Sequence, residues 1–290
     1  GVGAGGVAAY GRLSRQGTSG YREHSGNDSW SGFGALGWFG ERDALKLSGF
    51  AGSSGTRLAY LAAGESDLRI NRRVNPLSEA EGDRFHQEMA SLQYSRVIAA
   101  GVNASLLAYR NSAAGAYDVS YGAAPGGGGL SIANYGLAHV WHGVTAALTW
   151  TSSDLSIAAG ATATDYHRDH SLAMRPTLTV REYTNTGVKR EAAGFVKVTW
   201  DRGPLRFGAD LNLRHTGFRY RPSSSADVAP QLIGWTFANP RAGITWTVSP
   251  TVSVYATAGR TSREPARGDL FAGADDLNAG NAAGLLPLDR

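Results

Sequence analysis

Residues 205–215 read LRFGADLNLRH, a stretch in which apolar and polar residues alternate strictly. Positions 205 to 213 carry Leu, Phe, Ala, Leu and Leu at the odd numbers, with Arg, Gly, Asp and Asn between them. A period of two predicts a β-strand with one apolar and one polar face. In a soluble protein the apolar face packs on a core, whereas in an outer-membrane barrel it contacts lipid and the polar face lines the lumen. Other features of the sequence distinguish between these two environments.

The composition leaves few classes of protein open. The 290 residues include 39 glycines, 12 tyrosines and 7 tryptophans, but no cysteine. Without cysteine there is no disulfide scaffold, no Cys-ligated zinc and no Cys nucleophile. No run of 18 apolar residues exists, so a transmembrane helix is excluded, whereas the signal of a β-barrel is spread over alternate positions. The net charge of +4 comes from scattered basic residues, which gives little support to nucleic-acid binding.

One unit recurs along the chain: two strand-like runs joined by a very short turn and followed by a long polar loop. The pattern predicts about 11 strands, near 4–16, 29–39, 44–57, 85–98, 102–112, 136–151, 155–167, 188–200, 205–218, 235–248 and 252–263. The short turns lie at 41–43, 99–101, 152–154, 201–204 and 249–250. The long connections lie near 17–28, 59–83, 113–133, 168–187, 219–234 and 265–290. A short helix is expected inside 59–83, where Ser78 and Glu81 can form a capping box.

The two kinds of connection fall at opposite ends of the predicted strands. Short turns at one end and long loops at the other are typical of membrane barrels, whose long loops lie outside the cell. The strands are also long enough, since about 9–11 tilted residues cross the hydrocarbon layer. The sequence therefore predicts an all-β fold, an antiparallel transmembrane β-barrel with short periplasmic turns and long extracellular loops.

Four tryptophans decide which solvent the apolar face contacts. Trp38, Trp150, Trp200 and Trp246 each lie one to three residues before a short turn. Hairpins would bring all four to one height, as an aromatic girdle at the membrane interface requires. The alternative is four core tryptophans that happen to precede turns, but a buried core has no reason to fix their height. The apolar face is therefore expected to contact lipid, with these four residues as its girdle.

The opposite face of the same strand carries three charges. Arg206, Asp210 and Arg214 point toward the lumen in this interpretation, so the lumen is wet or filled by something polar. The three charges could pair with a plug or guide ions. A set of lumen salt bridges without any role in transport is the other interpretation.

Three stretches resemble the TonB-dependent receptors, the energised transporters of the Gram-negative outer membrane. NPLS at 75–78, followed by DRF at 83–85 and Gln87, resembles a loop-to-strand segment of that family's barrel. NPRAG at 239–243 resembles the start of a late strand, and YATAGRTSREP at 255–265 resembles the next strand and its loop. The resemblance implies a barrel of 22 strands around a plug domain.

The resemblance also implies what the chain lacks. No plug precedes the first strand, no TonB-box-like segment is visible, and the chain ends in AGNAAGLLPLDR rather than in a strand that closes on an aromatic residue. Residues 1–290 are therefore expected to be one partial barrel domain, without the plug and the C-terminal strands. The implied partners are outer-membrane lipid and lipopolysaccharide, the TonB complex acting through the absent plug, and a small ligand such as a ferric siderophore. No cofactor and no nucleic acid are implied.

Signals of catalysis are poor. GVGAGG at 1–6 matches a dinucleotide-binding pattern in letters, but no strand precedes it and no helix follows. DYHRDH at 165–170 offers metal-ligand types, yet in an extended strand His167 and His170 point to opposite faces, as do His139 and His142. RGD at 267–269 is an adhesion tripeptide inside the receptor-like stretch. The sequence predicts no enzyme, no catalytic residue and no metal site.

Ligand-binding candidates come from the long loops. In the family that the chain resembles, the ligand lies between these loops and the apex of the plug. The candidates are Tyr60, Arg69, Arg72 and Arg73 in the loop at 59–83, and Arg181 and Tyr183 in the loop at 168–187. Arginine suits anionic ligands, because its planar fork matches carboxylates and catecholates. The alternative is that loop arginines contact lipopolysaccharide phosphates or only keep the loop soluble.

Three functions from different classes follow from these patterns. The favoured one is active uptake of a scarce nutrient such as a ferric siderophore, with energy relayed by TonB. A passive porin fits the barrel equally well, and an inward-folded constriction loop would mark it. A surface adhesin barrel rests on the long loops alone.

Overall fold

The computed structural model describes residues 2–4, 6–123, 130–224 and 226–282. They form one antiparallel sheet of 12 strands in which every strand pairs with its neighbours in sequence, so the predicted all-β antiparallel fold is confirmed. The strands are β1 Val2–Ala4, β2 Val7–Thr18, β3 Asn27–Phe39, β4 Asp43–Arg57, β5 Gly82–Ala99, β6 Val102–Ala123, β7 Leu130–Thr151, β8 Leu155–Met174, β9 Arg181–Arg202, β10 Leu205–Arg221, β11 Gln231–Ser249 and β12 Val252–Gly259. Three short helices, α1 Glu65–Ile70, α2 Arg267–Leu270 and α3 Ala279–Ala282, lie in the connections. No helix within the described ranges is long and apolar enough to cross a membrane.

The eleven predicted strands correspond to β2–β12, and the three-residue β1 adds one more. All five short turns lie where the sequence predicts them. Two of these turns depend on glycine, since Gly101 and Gly203 have φ angles of 74° and 58°. At Gly101 a side chain would also collide with the chain, because a Cβ there would lie 2.2 Å from the backbone oxygen of Thr151.

Two of the predicted long loops are mostly strand. Residues 113–123 and 130–133 continue β6 and β7, and residues 168–174 and 181–187 continue β8 and β9. The prediction was wrong there because the strands keep pairing through polar residues after the apolar alternation ends. For example, Tyr117 stacks on Tyr135 across the extended β6–β7 hairpin, with ring centroids 5.0 Å apart. The low-complexity piece at 124–129 and the end of the last connection at 283–290 lie outside the described residues.

The helix in the second long loop was also predicted at the wrong place. It forms at Glu65–Ile70 rather than after Ser78. Glu81 does accept the hydrogen bond from the Ser78 backbone N–H, at 2.7 Å, as a capping box would require. Its other carboxylate oxygen, however, accepts the Ser120 backbone N–H at 2.8 Å, so this buried side chain fastens the loop to β6 instead of starting a helix.

The two faces of the sheet differ as the alternation predicts. We call the side that carries Phe207 and Leu211 the apolar face, and the side that carries Arg206 and Asp210 the polar face. Trp38, Trp150, Trp200 and Trp246 all lie on the apolar face, and between 36% and 50% of each residue's surface is exposed.

The register shows how these tryptophans are arranged. Starting from Trp38 on β3, directly paired residues lead across the sheet to Ala146 on β7, Gly194 on β9 and Ala238 on β11. These positions lie four, six and eight residues before the tryptophans of the same strands, which are Trp150, Trp200 and Trp246. The tryptophan level therefore shifts by one residue for each strand crossed.

A shift of one residue per strand has a direct geometric meaning. One residue rises about 3.3 Å and neighbouring strands lie about 4.8 Å apart, so this shift corresponds to a strand tilt of about 35°. Strands of membrane barrels tilt by about 35–45°. With this tilt, all four tryptophans lie in one plane perpendicular to the barrel axis.

A second level follows on the same face, where the apolar alternation stops. His142 lies eight residues above Trp150 on β7, and Arg190 lies ten residues above Trp200 on β9. At the tilt given above, these separations correspond to about 22–27 Å, close to the apolar band of about 25 Å in membrane barrels. On β6 and β8 the first polar residue of this face is a direct cross-strand partner of His142 or Arg190, and on β10 it is His215. We call this set the polar rim: Arg110, His142, Asp165, Arg190 and His215.

Candidate ligand site on the polar face

The segment after β12 folds back onto the sheet. Residues 260–282, here called the return segment, pack against the polar face of β8–β11 from the level of Asn239 on β11 outward. Phe271 and Leu277 bury their side chains there, each with 1% of its surface exposed, against the fully buried Tyr220 of β10. The ring centroids of Phe271 and Tyr220 are 4.8 Å apart. Apolar residues of an otherwise polar connection thus form the largest buried cluster of the described chain.

Hydrogen bonds fix the return segment to the same strands. The carboxylate of Asp276 accepts hydrogen bonds from the Tyr220 hydroxyl at 2.9 Å and from the Asn185 side-chain amide at 3.0 Å. The Leu277 backbone N–H donates in turn to the Tyr220 hydroxyl at 3.1 Å. Because Tyr220 is completely buried, losing the Asp276 carboxylate would leave its hydroxyl without an acceptor, which is costly, whereas the Asn185 amide would keep its hydrogen bond to the backbone oxygen of Asp275.

A network of four charges lies at the start of the return segment. Glu264 accepts hydrogen bonds from Lys189 and, at 2.5 Å, from Arg214, which also donates to Glu191 at 2.9 Å. The side chains of Glu264, Arg214 and Glu191 are each less than 20% exposed. Burial alone would raise the pKa of Glu264, but the hydrogen bond from Lys189 and the charges of Lys189 and Arg214 outweigh it and hold the pKa below its usual range. The network therefore joins two acidic side chains to two basic ones.

Charged and ionisable side chains also meet at the other end of the return segment. Arg267 pairs with Asp275, whose carboxylate also lies 3.8 Å from Nδ1 of His170. His170 lies on β8 five residues beyond Asp165 of the polar rim, outside the apolar band. Burial, together with the charges of Arg168 and Arg267, lowers the pKa of His170 to about 4, so the ring is neutral. The side chain of Arg168 makes no hydrogen bond and no ion pair with any residue that the structure describes.

A cavity of about 230 Å³ lies between the return segment and the sheet. Its lining combines aromatic rings with cations. The aromatic residues that line it are Tyr166, Phe218 and Trp235. The basic ones are Arg168, Lys189, Arg263 and Arg267, and Glu264 is the single acidic one. Aromatic rings can stack on a planar group of a ligand. Guanidinium groups can bind an anion, because their planar fork matches the two oxygens of a carboxylate. The cavity is large enough for one anionic arm of a ligand, but not for a whole siderophore-sized molecule.

The three predicted lumen residues all lie on the polar face but have different partners. Arg206 makes a two-pronged contact with Asp201, at 2.5 and 2.9 Å, near the short turn. Arg214 belongs to the network with Glu264. Asp210 has no ion pair within the described ranges, although its cross-strand neighbours are Lys197 and Arg241. The three charges thus belong to separate groups along β10.

The loop candidates are not brought together into one site. Arg181 and Tyr183, which were expected in a loop, lie in β9. Tyr183 points its hydroxyl into the protein with no hydrogen-bond partner, and Arg181 donates to Ser171 at 3.2 Å. The placement was wrong because β9 begins seven residues earlier than the apolar alternation indicates.

The other four candidates belong to the connection between β4 and β5. Tyr60 is 64% exposed, and Arg69 pairs with Glu65 within α1. Arg73 donates to the backbone oxygen of Tyr21 at 2.9 Å, which ties this connection to the one between β2 and β3. Arg72 is exposed. Across the described part of the chain, no hydrogen bond or ion pair joins these four residues to Arg181 or Tyr183.

Sequence reasoning missed the residues that form the cavity. Lys189 and Phe218 line the cavity and continue the alternation of their strands beyond the apolar band, so their faces could have been assigned from parity alone. Glu264 lies in the family-like stretch at 255–265, but nothing in the sequence shows that the chain folds back at this point. No group of three or more His, Asp or Glu residues that could hold a metal ion occurs in the described chain.

Comparisons with known proteins bear on this arrangement. The family model for the "TonB dependent receptor-like, beta-barrel" domain matches residues 8–287. A search of curated proteins finds no match. Among solved structures, the open form of the ferric-catecholate import receptor Fiu from E. coli K12 matches with a TM-score of 0.72 at 11% identity, over 91% of this chain and 51% of that chain.

Two further structures show the same likeness in fold. The copper transporter OprC matches with a TM-score of 0.72 at 16% identity, over 92% of this chain and 42% of that chain. The ferric yersiniabactin uptake receptor FyuA from Yersinia pestis matches with a TM-score of 0.70 at 12% identity, over 87% of this chain and 42% of that chain. The chain thus spans about two fifths to one half of the solved structures that it matches. With the family model matching residues 8–287, the chain belongs to the TonB-dependent receptor β-barrel family.

Proposed function

We propose that the chain forms part of an outer-membrane receptor that takes up a scarce nutrient bound as an anion, a ferric siderophore or a similar ligand. TonB supplies the energy through a plug domain outside residues 1–290. The observation that carries the ligand class is the cavity under the return segment, where the unpaired guanidinium group of Arg168 faces aromatic rings. An anion entering the cavity would compensate this charge, which costs free energy while it is half-buried without a partner.

The arrangement of the apolar face supports insertion into the outer membrane. The four tryptophans lie at one level and the polar rim begins 8–10 residues above it on β7 and β9, as a band that spans the hydrocarbon layer requires. We assign Trp38, Trp150, Trp200 and Trp246 to the periplasmic girdle. The long connections then lie outside the cell.

The loop residues have a secondary role in this proposal. Tyr60, Arg69 and Arg72 are exposed beyond the ends of the strands, where they can contact a ligand before it reaches the cavity. Arg73 and Arg181 are engaged by neighbouring groups and position the backbone around them. On the polar face, Arg206, Asp210 and Arg214 line the route by which a released ligand moves inward.

A passive porin is the second candidate, and one observation favours it. The return segment folds inward over the polar face, as the constriction loop of a porin does. An energised receptor and a porin differ in their need for a proton gradient, because passive diffusion needs none.

Uptake of radioactive iron by cells that express the full-length protein tests the proposal. The host lacks its own ferric-siderophore receptors and is supplied with ferric catecholate, ferric hydroxamate or ferric citrate complexes. Energised uptake predicts that one complex accumulates and that a protonophore or loss of TonB abolishes accumulation. Entry of all complexes and of small sugars, unaffected by the protonophore, would show a porin instead.

A further inference from the structure

Charged side chains are unevenly distributed over the polar face. From the tryptophan level up to the polar rim, the described strands β5–β8 carry no charged residue on this face, and we call them the uncharged wall. Strands β2 and β4 carry one each. Strands β9–β11 form the charged wall, which carries six between the same two levels: Glu191, Lys197, Arg206, Asp210, Arg214 and Arg241.

Three of these six charges are paired within the chain. Arg206 pairs with Asp201 near the short turn. Arg214 pairs with Glu191 and, at the return segment, with Glu264. The two ends of the charged wall therefore need no counter-charge from elsewhere.

The middle of the charged wall is different. Lys197 of β9, Asp210 of β10 and Arg241 of β11 are direct cross-strand neighbours, here called the central row, yet none of their side chains makes a hydrogen bond or an ion pair within the described ranges. A Cβ at Gly259 of β12 would lie 3.2 Å from both Cβ and Cγ of Arg241, so this side chain leans toward β12 and away from Asp210. Lys197 and Arg241 are exposed. The central row thus presents two free cations and one free carboxylate to the lumen.

The central row determines what can lie against it. Unpaired charges are stable in water, but a protein surface that displaces the water has to supply opposite charges. A domain that fills the lumen therefore matches the row if it carries carboxylates opposite Lys197 and Arg241 and a basic group opposite Asp210. The uncharged wall offers such a domain fewer strong contacts, and some of its hydroxyl groups already bond to each other, as Thr145 does to Thr162 at 3.0 Å.

We propose that the charged wall holds the plug through carboxylates opposite Lys197 and Arg241, and that the ligand passes between the plug and the uncharged wall. The inference rests on the proposed function, which supplies the plug and the ligand. The uncharged wall begins directly below the candidate site, because Thr164 and Thr162 follow the cavity residue Tyr166 on the same face of β8. A ligand that leaves the cavity along β8 therefore reaches the side where the plug is held least firmly.

Amide hydrogen exchange of the full-length receptor tests which wall holds the plug. In Lys197→Gln/Arg241→Gln the amides of the plug should exchange about tenfold faster, since each contact between opposite charges contributes a few-fold. Lys197→Arg/Arg241→Lys keeps both charges and should stay close to the unmodified receptor. Arg219→Gln/Arg221→Gln removes the same charge from the apolar face of β10 and should change nothing. Unchanged exchange in Lys197→Gln/Arg241→Gln, or an equal rise in the Arg219→Gln/Arg221→Gln control, would overturn the proposal.

Thiol labelling in living cells tests where the ligand passes. Residues 1–290 contain no cysteine, so a single cysteine can be placed on either wall of the full-length receptor. Ser105 is exposed on β6 in the uncharged wall, and Gly208 lies at the same height on β10 in the charged wall, where a Cβ would meet no atom within 4 Å. A membrane-impermeant thiol reagent is added outside the cells, with the unmodified receptor as background. During energised uptake Ser105→Cys should be labelled several-fold faster than Gly208→Cys, and a protonophore should remove the difference.

The outcomes separate this inference from the proposed function. Equal labelling at both positions, faster labelling at Gly208, or no labelling of Ser105→Cys during uptake would overturn the passage along the uncharged wall. Uptake of the ferric complex is measured in the same cells. Normal energised uptake with any of these results rejects this inference alone, whereas the absence of energised uptake by the unmodified receptor rejects the proposed function.

Discussion

Arg214 of β10 donates a hydrogen bond of 2.5 Å to Glu264 and thereby joins the return segment to the polar face of the sheet. Lys189 of β9 donates to the other oxygen of the same carboxylate. Both contacts involve side chains that are largely shielded from water, where a hydrogen bond between charged groups contributes more than it does at the surface. The return segment covers the cavity, so the strength of this junction governs access to it.

Replacing Glu264 with Gln should loosen the return segment. The variant keeps the size of the side chain but loses the charge that pairs with Lys189 and Arg214. Opening of the segment should become easier by about 1–2 kcal/mol, roughly a tenfold increase in the exchange rate of its amide hydrogens. Hydrogen exchange of the full-length receptor over residues 266–277 measures this change.

Glu65→Gln is the matched control for this variant. Glu65 pairs with Arg69 in an exposed contact on α1, with both side chains at least 77% exposed, and such pairs contribute little. Exchange over residues 266–277 should stay unchanged in the control. Unchanged exchange in Glu264→Gln as well would show that apolar packing by Phe271 and Leu277 alone holds the segment.

Docking of the return segment should weaken as the pH falls from about 6.5 to about 4. The pKa of His170 is about 4 when the segment is docked, because burial and the charges of Arg168 and Arg267 disfavour the imidazolium form. Released from the segment, His170 loses its burial and the charge of Arg267, so its pKa rises toward the ordinary value near 6.5 and the undocked state binds the proton first. The neighbouring carboxylate of Asp275 reduces this effect without reversing it. The pKa of Glu264 lies below its usual range, so this carboxylate takes up a proton at a lower pH than an ordinary glutamate does.

A spin label on the return segment reports this pH dependence. The chain has no cysteine, and a Cβ at Gly268 would meet no atom within 4 Å, so Gly268→Cys accepts a nitroxide label without strain. Label mobility should rise between pH 6.5 and pH 4, and His170→Gln should remove most of that rise. A mobility curve that is identical with and without His170 would assign the pH response to the carboxylates instead.

The sequence predicted the part of the fold in which apolar and polar residues alternate. In β9 the apolar alternation runs from Ala192 to Trp200, and there the predicted strand, its turn and its faces agree with the structure. Before Arg190 in the sequence, the positions of β9 on the apolar face are no longer apolar. The alternation of apolar and polar residues therefore ends there, although backbone pairing continues to Arg181. The unexpected lengths of β6 to β9 have this common cause.

The candidate site was less predictable for a different reason. The cavity depends on contacts between β8–β11 and residues some 50 to 100 positions later, such as Asn185 with Asp276. Local alternation assigns each side chain to a face but not to a partner, and a polar connection rich in Ala, Gly and Asp carries no signal for folding back. The loop arginines were chosen for their charge alone, whereas the residue that combines charge, burial and an unpaired state is Arg168.

Replacing Arg168 with Gln should weaken binding of an anionic ligand. A hydrogen bond from a charged group contributes about 1.5–3 kcal/mol, so the dissociation constant of the transported ferric complex should rise about tenfold to a hundredfold. Tryptophan fluorescence quenching or calorimetry on the full-length receptor measures this change. Arg219→Gln is the control, since Arg219 lies on the apolar face at a similar height on β10. Equal affinities of the unmodified receptor, Arg168→Gln and Arg219→Gln would mean that the ligand binds elsewhere on the polar face.

A charged residue in the middle of the apolar face should lower the free energy of unfolding, whereas a charged residue on the polar face should change it little. Val196 lies on the apolar face, four residues above Trp200 and six below Arg190, and 39% of its surface is exposed. A lysine there would enter the centre of the hydrocarbon layer, where such substitutions cost about 2–4 kcal/mol. Denaturant unfolding of the full-length receptor in phosphatidylcholine vesicles measures this difference in the free energy of unfolding.

Asn212→Lys is the matched control for Val196→Lys, because Asn212 lies on the polar face of the next strand at nearly the same height. The polar face already carries Lys197 directly beside Val196, so a further lysine on that face contacts water and should cost less than about 1 kcal/mol. A large cost at Val196 with a small cost at Asn212 is the signature of lipid on one face and water on the other. Equal costs at both positions would mean that the apolar face packs against protein, and the assignment of the four tryptophans to a membrane girdle would then be wrong.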